Sequence, residues 1–289
     1  MGLLEVGPAD GVVVPGVLRA AAEHGLDVEQ VAAGEIERRW PGLRASNGLV
    51  GVFERNAGYL LVEDCVAANL AAAEAAGAAL LVDTVVHDWT ADDRGVQVRT
   101  SAGEIAAGKL IVASGAWAGS TLRGLPLELQ VRRKSLFWFE TASRQYDVAA
   151  GFPVYLFELP AGVFYGFPCL DGRSVKVAEH TGGAAIDDPA NVNRSIDRDE
   201  QERLAAFLAA HLPEVLPWVA DHAVCLYTTS PDEHFVVDRH PDQANVVFAT
   251  GLSGHGFKFT PVLGRALADL ALDGSTRLAI EFLSLRRFA

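Results

Sequence analysis

From Asn245 to Leu272 the chain passes from an apolar run, NVVFAT, through a turn holding Gly251, Gly254 and Gly256, into a helical period, TPVLGRALADLAL. A strand that hands over to a helix through so short a turn requires a sheet with helices laid on it, the layering of α/β proteins. Thr260 is expected to cap the helix, with Pro261 in its first turn. Val262, Leu263, Ala266, Leu267 and Leu270 recur at helical spacing and are expected to face the sheet. The unpaired N–H groups at the helix start, and the positive end of its dipole, then point back into the turn. Glycines there let backbone approach a flat or anionic group. Lys258 stands among apolar neighbours and adds a positive charge, unless it runs its side chain out to water. This makes an anion-attracting surface at a strand end, where open α/β sheets bind ligands. The plain alternative is an ordinary glycine-rich turn. It is no dinucleotide fingerprint, because Phe259 stands where a third glycine is needed after Gly254 and Gly256.

The same alternation fills the first part of the chain. PGVLRAAAEHGL and DVEQVAAGEIERRWPGL read as helices, EDCVAANLAAAEAAGAAL as an alanine-rich helix and ALLVDTVVHDW as a strand. GVQVRTSAGEIAAGKLIVASGAW reads as a hairpin turning at Ala102–Gly103, which delivers a buried strand from Leu110 to Ala113. From Leu125 to about Cys225 strands dominate: LQVRRKSLFWFET, VYLFEL, GVFYGFP and SVKVAEH, with one helix, RDEQERLAAFLAAHL. That block predicts a mainly antiparallel sheet with a covering helix. The expected fold is therefore α/β and α+β, in two discontinuous domains: 40–124 with 222–289, and 1–39 with 125–221. A small-molecule site is expected in a cleft between them.

Composition narrows the function. Half of the 289 residues are hydrophobic and 21% are charged, which argues against long disorder. Net charge is −13 with no basic tract, which excludes nucleic acid and anionic membrane as expected partners. The apolar runs are too short to span a bilayer, and MGLLEVGPAD lacks the basic start and apolar stretch of a signal peptide. Cys65, Cys169 and Cys225 are odd in number and lack metal-type spacing, so a reduced, cytoplasmic setting is expected.

CLYTTSPDEHFVVDRHPDQANVVFATGLSGHGFKFTPVLG, from Cys225 to Gly264, resembles the C-terminal signature of the monomeric sarcosine oxidase and N-methyltryptophan oxidase family. These are flavoenzymes similar to D-amino-acid oxidase. The resemblance continues through VFYGFP, SVKVAEHTGG, KLIVASGAWAG, FERNAGYLLVEDC and RRWPGL, so it spans essentially the whole chain. It implies a covalent FAD and oxidation of an N-methyl or other secondary amino acid to an imine, with O₂ reduced to H₂O₂. One domain would then be a truncated Rossmann-like FAD-binding domain and the other the substrate domain.

Residue roles follow from the same resemblance. Cys225 would carry the thioether to the flavin; its alternative is an inert thiol buried in AVCLY. Lys258 would bind the substrate carboxylate, while Gly251, Gly254, His255, Gly256 and Phe257 face the flavin. Lys176 would stand near the reactive edge of the flavin, where a cation stabilises developing superoxide, and His180 would contact the substrate. Strand parity puts Ser174, Lys176, Ala178 and His180 on one face. A solvated edge strand is the alternative there. Tyr165 and Tyr227 would line the substrate cavity, or else serve as core aromatics. Val86, Ala113, Ser114, Gly115 and Trp117 would lie at the adenine end of FAD.

A family member begins with a strand, a glycine-rich turn and a helix that hold the FAD pyrophosphate. It then shows an acidic residue for the ribose and an arginine for the substrate carboxylate. MGLLEVGPAD resembles a strand well inside that pattern. On the order of a hundred residues are thus expected to be missing, through a misassigned start or a shortened gene. Weakened FAD binding and impaired activity are expected to follow. A non-catalytic, degenerate fragment is the second reading. A third is a metal site on Glu233, His234, Asp238 and His240, although His-x₅-His on a strand is not a usual ligand spacing.

Overall fold

The computed structural model describes residues 1–46 and 48–288. Its first half runs β1 (Leu3–Pro8), α1 (Val13–His24), β2 (Val28–Ala32), α2 (Ala33–Arg39), β3 (Leu49–Glu54), α3 (Val62–Ala75), β4 (Val86–Asp92), β5 (Gly95–Thr100), β6 (Gly103–Ala107), β7 (Leu110–Val112), α4 (Ala118–Thr121) and β8 (Gln130–Thr141). The second half runs β9 (Val154–Leu159), β10 (Gly162–Gly166), β11 (Ser174–Glu179), β12 (Ala185–Ile186), α5 (Arg198–His211), β13 (Val215–Thr229), β14 (Val236–Arg239), β15 (Val246–Thr250) and α6 (Thr260–Asp273). These elements sort into two compact units. One holds residues 1–59, 134–184 and 193–225; the other holds 60–133, 185–192 and 226–289. Residues 40–59, expected with 60–124 and 222–289, fall in the first unit.

In the first unit the strand order is β8-β11-β10-β9-β1-β3-β2. Only the β1–β9 pair is parallel; the rest of this path is antiparallel. Alternation in the sequence becomes two faces. Phe137, Phe139, Phe164, Val175 and Val177 point one way and pack with Leu204, Phe207 and Leu208 of α5. The Phe164 and Phe207 rings stack with centroids 4.7 Å apart. Asp197 starts α5 by accepting from the N–H groups of Asp199 and Glu200.

Val28–Ala32 is a strand, not part of a helix. Gly25, with φ of 64°, ends α1 in the left-handed conformation, and β2 then pairs with β3 from Val28↔Glu54 to Ala32↔Val50. Tertiary pairing outweighs the local helical pattern here. At the other end of α1, Glu158 on β9 supplies the cap. Val12 N donates to Oε1 at 2.8 Å and Val13 N to Oε2 at 2.8 Å. A carboxylate there satisfies two orphan donors and the helix dipole. Glu158→Ala is expected to lower stability by about 1–2 kcal/mol, read as a lower urea midpoint; an unchanged midpoint would refute the cap.

In the second unit β14, β15 and β7 form one small sheet, with β15 and β7 parallel, and β4, β5 and β6 form an antiparallel meander. α6 buries Ala266 and lays Leu263, Leu267 and Ala271 against Phe235, Val237 and Val247. Val262 is exposed, although it was expected to face the sheet. The hairpin turns at Ser101–Ala102, as expected to within a residue. Two segments depart from expectation. ALLVDTVVHDW becomes a strand only at Val86, because Asp83 sits in the left-handed region, with φ of 52°, and breaks the extended run. Leu110–Val112 is an edge strand that buries only Val112. Among the described residues no helix is long and apolar enough to cross a membrane.

Candidate active site

In the first unit the expected residues Tyr165, Lys176 and His180 gather on the sheet face opposite α5. β11 lies between β10 and β8, so it is an interior strand and the solvated-edge alternative fails. Its register sets Lys176 against Trp138 and Ala178 against Tyr165. The Lys176 ammonium lies 5.0 Å from the centroid of the Trp138 ring and 5.3 Å from that of Phe167. His180 follows β11, with its backbone N–H donating to Val163 O at 2.7 Å and its ring 6.5 Å from that of Tyr165. Phe167 meets Tyr165 edge-on at 6.1 Å and Tyr59 at 6.4 Å. Sequence reading missed Trp138, Phe167 and Tyr59. Only for Trp138 was a signal present, in its opposite parity to Phe137 and Phe139.

Cys225, on β13, is exposed, which removes the inert buried thiol as its description. Cys169 is buried, and desolvation pushes its thiol up; Cys65 is half-buried. Of the three thiols, that of Cys225 is the exposed one.

In the second unit two turns stand at the carboxyl ends of the neighbouring parallel strands β7 and β15. After β15 the chain turns through Gly251, Ser253 and Gly254, all at positive φ. A Cβ on Gly254 would fall 2.1 Å from the Tyr227 ring, so this position must be glycine for Tyr227 to lie against the turn. Ser253 N donates to Thr228 O at 3.0 Å. The His255 Nδ1–H donates to Ser253 O at 3.1 Å, and its ring packs on Phe235. A tight turn over Phe257–Phe259 then runs straight into α6. Thr260 is consequently the first helical residue rather than its cap, and its hydroxyl donates to Phe257 O at 2.8 Å.

Lys258 is exposed, the alternative in which its side chain runs out to water. Its ammonium lies 5.7 Å from the Phe259 ring, and its side chain lines a groove of about 510 Å³ with Leu60, Val66, Leu70, Phe257 and Pro261. After β7, Ala113 and Gly115 are exposed, and Ser114 Oγ shares a hydrogen bond of 2.5 Å with Thr121 Oγ1. Trp117 is exposed and lines a cleft of about 730 Å³, while Val86 is exposed at the start of β4.

The metal reading receives no support from the structure. Among the described residues no group of three or more His, Cys, Asp and Glu side chains comes together. Asp238 instead accepts from Ser284 Oγ at 2.6 Å and Leu285 N at 2.9 Å, and His240 packs edge-on against Trp89.

A family model described as FAD dependent oxidoreductase matches residues 8–270. The chain belongs to this family. It is 38% identical to monomeric sarcosine oxidase of Arthrobacter sp. (strain TE1826), over 99% of this chain and 75% of that protein. N-methyl-L-tryptophan oxidase of Salmonella dublin is 35% identical over all of this chain and 77% of its own length. Among solved structures, NikD, an unusual amino acid oxidase essential for nikkomycin biosynthesis, superposes with a TM-score of 0.84 at 27% identity. That match covers 98% of this chain and 76% of NikD. The chain is thus a flavin-dependent oxidoreductase.

The residues present fit FAD. Thr250 Oγ1, at the end of β15, is buried and has no hydrogen-bond partner among the described residues, which is the state a bound polar group relieves. Gly115, with φ of 54°, has nothing within 4 Å of where a Cβ would stand, so its backbone is open to a ligand.

Proposed function

We propose that this oxidoreductase acts on an N-methyl or other secondary amino acid. The carbon–nitrogen bond next to the amine loses two electrons and two protons to become an imine, and O₂ takes up both to become H₂O₂. FAD, when bound, would supply the two-electron redox chemistry that links the amine to O₂. Cys225 would hold the flavin through a thioether. The Gly251–Phe257 turn, with Gly254, His255 and Gly256, would hold the flavin ring. Val86, Ala113, Ser114, Gly115 and Trp117 would hold the adenine end.

Lys258 binds the substrate carboxylate. Tyr165 and Tyr227 line the space for the rest of the substrate, and His180 contacts it. Lys176 keeps a positive charge where O₂ gains negative charge. The observation that carries this reading is one face of the sheet at β10 and β11, where Lys176, His180 and Tyr165 bring an ammonium, an imidazole and a phenol together. That face sits in a chain 38% identical to a sarcosine oxidase.

The test begins by loading the protein with FAD, recording how much it retains, and then adding sarcosine, N-methyl-L-tryptophan or L-pipecolate. H₂O₂ formed with imine from at least one of them is expected. Retained flavin with no peroxide from any of them would overturn the proposal. Within this reading Lys258→Met is expected to raise KM by on the order of 10- to 100-fold with little change in kcat, as loss of a charge-assisted hydrogen bond does. A Michaelis constant that stays put would take the carboxylate away from Lys258.

A further inference from the structure

We propose that Trp138 and Phe167 are positioning residues that hold the Lys176 ammonium by its charge against their ring faces. This rests on the role given to Lys176 above. The placement follows from strand pairing. Lys176 and Trp138 are directly opposed on β11 and β8, and opposed residues share a face. Phe167 follows β10, and its backbone N–H donates to Lys176 O at 3.0 Å. One residue of β10's neighbour thus meets Phe167 twice, through its backbone and through its ammonium. The ammonium stands 5.0 Å and 5.3 Å from the two ring centroids, within the reach of a cation–π contact. All three side chains are half-buried, so water screens the contact only in part.

The chemistry of the pair gives it a purpose. An aromatic face holds the cation by its quadrupole and leaves the charge intact. For a group that acts by its charge on nearby oxygen, that is the useful kind of restraint. Phe167 is itself braced edge-on by Tyr165 and Tyr59, so the cradle has a fixed wall.

A first experiment needs no flavin. The chain has four lysines, Lys109, Lys134, Lys176 and Lys258. Reductive methylation with ¹³C-formaldehyde labels accessible amines and keeps their charge; Lys176→Arg identifies the Lys176 signal. Ring currents are expected to move that signal upfield of an exposed lysine's. Trp138→Leu and Phe167→Leu should each return part of the shift, while Trp138→Phe keeps most of it. A Lys176 signal at the exposed position in the unaltered protein would overturn the proposal.

A second experiment uses flavin-loaded protein. Trp138→Leu should slow reoxidation by O₂ roughly 2- to 30-fold, the span of a cation–π contact, and leave anaerobic reduction by substrate unchanged. Should Trp138→Leu not fold, fluorinated tryptophan at position 138 keeps the ring's shape while weakening its negative face, and the same slowing is expected. If Lys176→Met slows reoxidation and the ring variants do not, the cradle is refuted. If Lys176→Met itself has no effect, the role assigned to Lys176 falls, and the ring-current shift alone decides the cradle.

Discussion

Cys225→Ser is expected to give a folded protein whose flavin washes away completely on acid denaturation, whereas the unaltered protein keeps its colour. The difference is all or none, because it concerns one covalent bond. A hydroxyl is close in size to a thiol but a far weaker nucleophile at neutral pH. Cys225 is exposed on β13, so exchanging sulfur for oxygen removes little packing, and stability should move by no more than about 0.5 kcal/mol. Cys169 cannot easily substitute: it is buried, and its thiol is pushed up by that burial, away from the reactive thiolate. Flavin that stays with the denatured variant would remove Cys225 from the proposal.

Lys176→Met is expected to slow reoxidation of reduced flavin by O₂ on the order of 100- to 1,000-fold, the scale on which loss of one preorganised electrostatic group is felt. Methionine is a similar length and apolar, and it can still lie under Trp138 and Phe167. The sheet should therefore survive, with Val175 and Val177 still packed beneath α5. Stopped-flow mixing of reduced protein with O₂ measures the rate directly. A change of only a few-fold would mean that the charge acts elsewhere.

Much of the first unit was legible in the sequence because its signals are local. Period-two alternation in LQVRRKSLFWFET and SVKVAEH specifies strands with two distinct faces, and helical spacing in RDEQERLAAFLAAHL specifies the helix that covers one of them. Parity alone then puts Lys176 and His180 together. What was not legible depends on pairing between distant segments. VEQVA sits between two helices and continues their pattern; only its partner, β3, makes it a strand. Trp138, Phe167 and Tyr59 lie in three separate segments, and nothing in any one of them says that the first two meet Lys176 or that Tyr59 meets Phe167.

The glycine turn shows the same limit in another form. Its backbone freedom was readable, and Gly254 indeed gives way to the Tyr227 ring. Whether Lys258 is enclosed or exposed was left open, since apolar neighbours in sequence need not be neighbours in space. The direction of its side chain is set by how the Phe257–Phe259 turn enters α6.

Anaerobic titration of the flavin-loaded protein with N-methyl amino acids tests the central claim most directly. The visible absorbance of oxidised flavin should fade with at least one of sarcosine, N-methyl-L-tryptophan or a cyclic secondary amino acid. It should return on admission of O₂ with H₂O₂ and imine in equal amounts. Oxidised flavin that persists with every one of them would contradict the account.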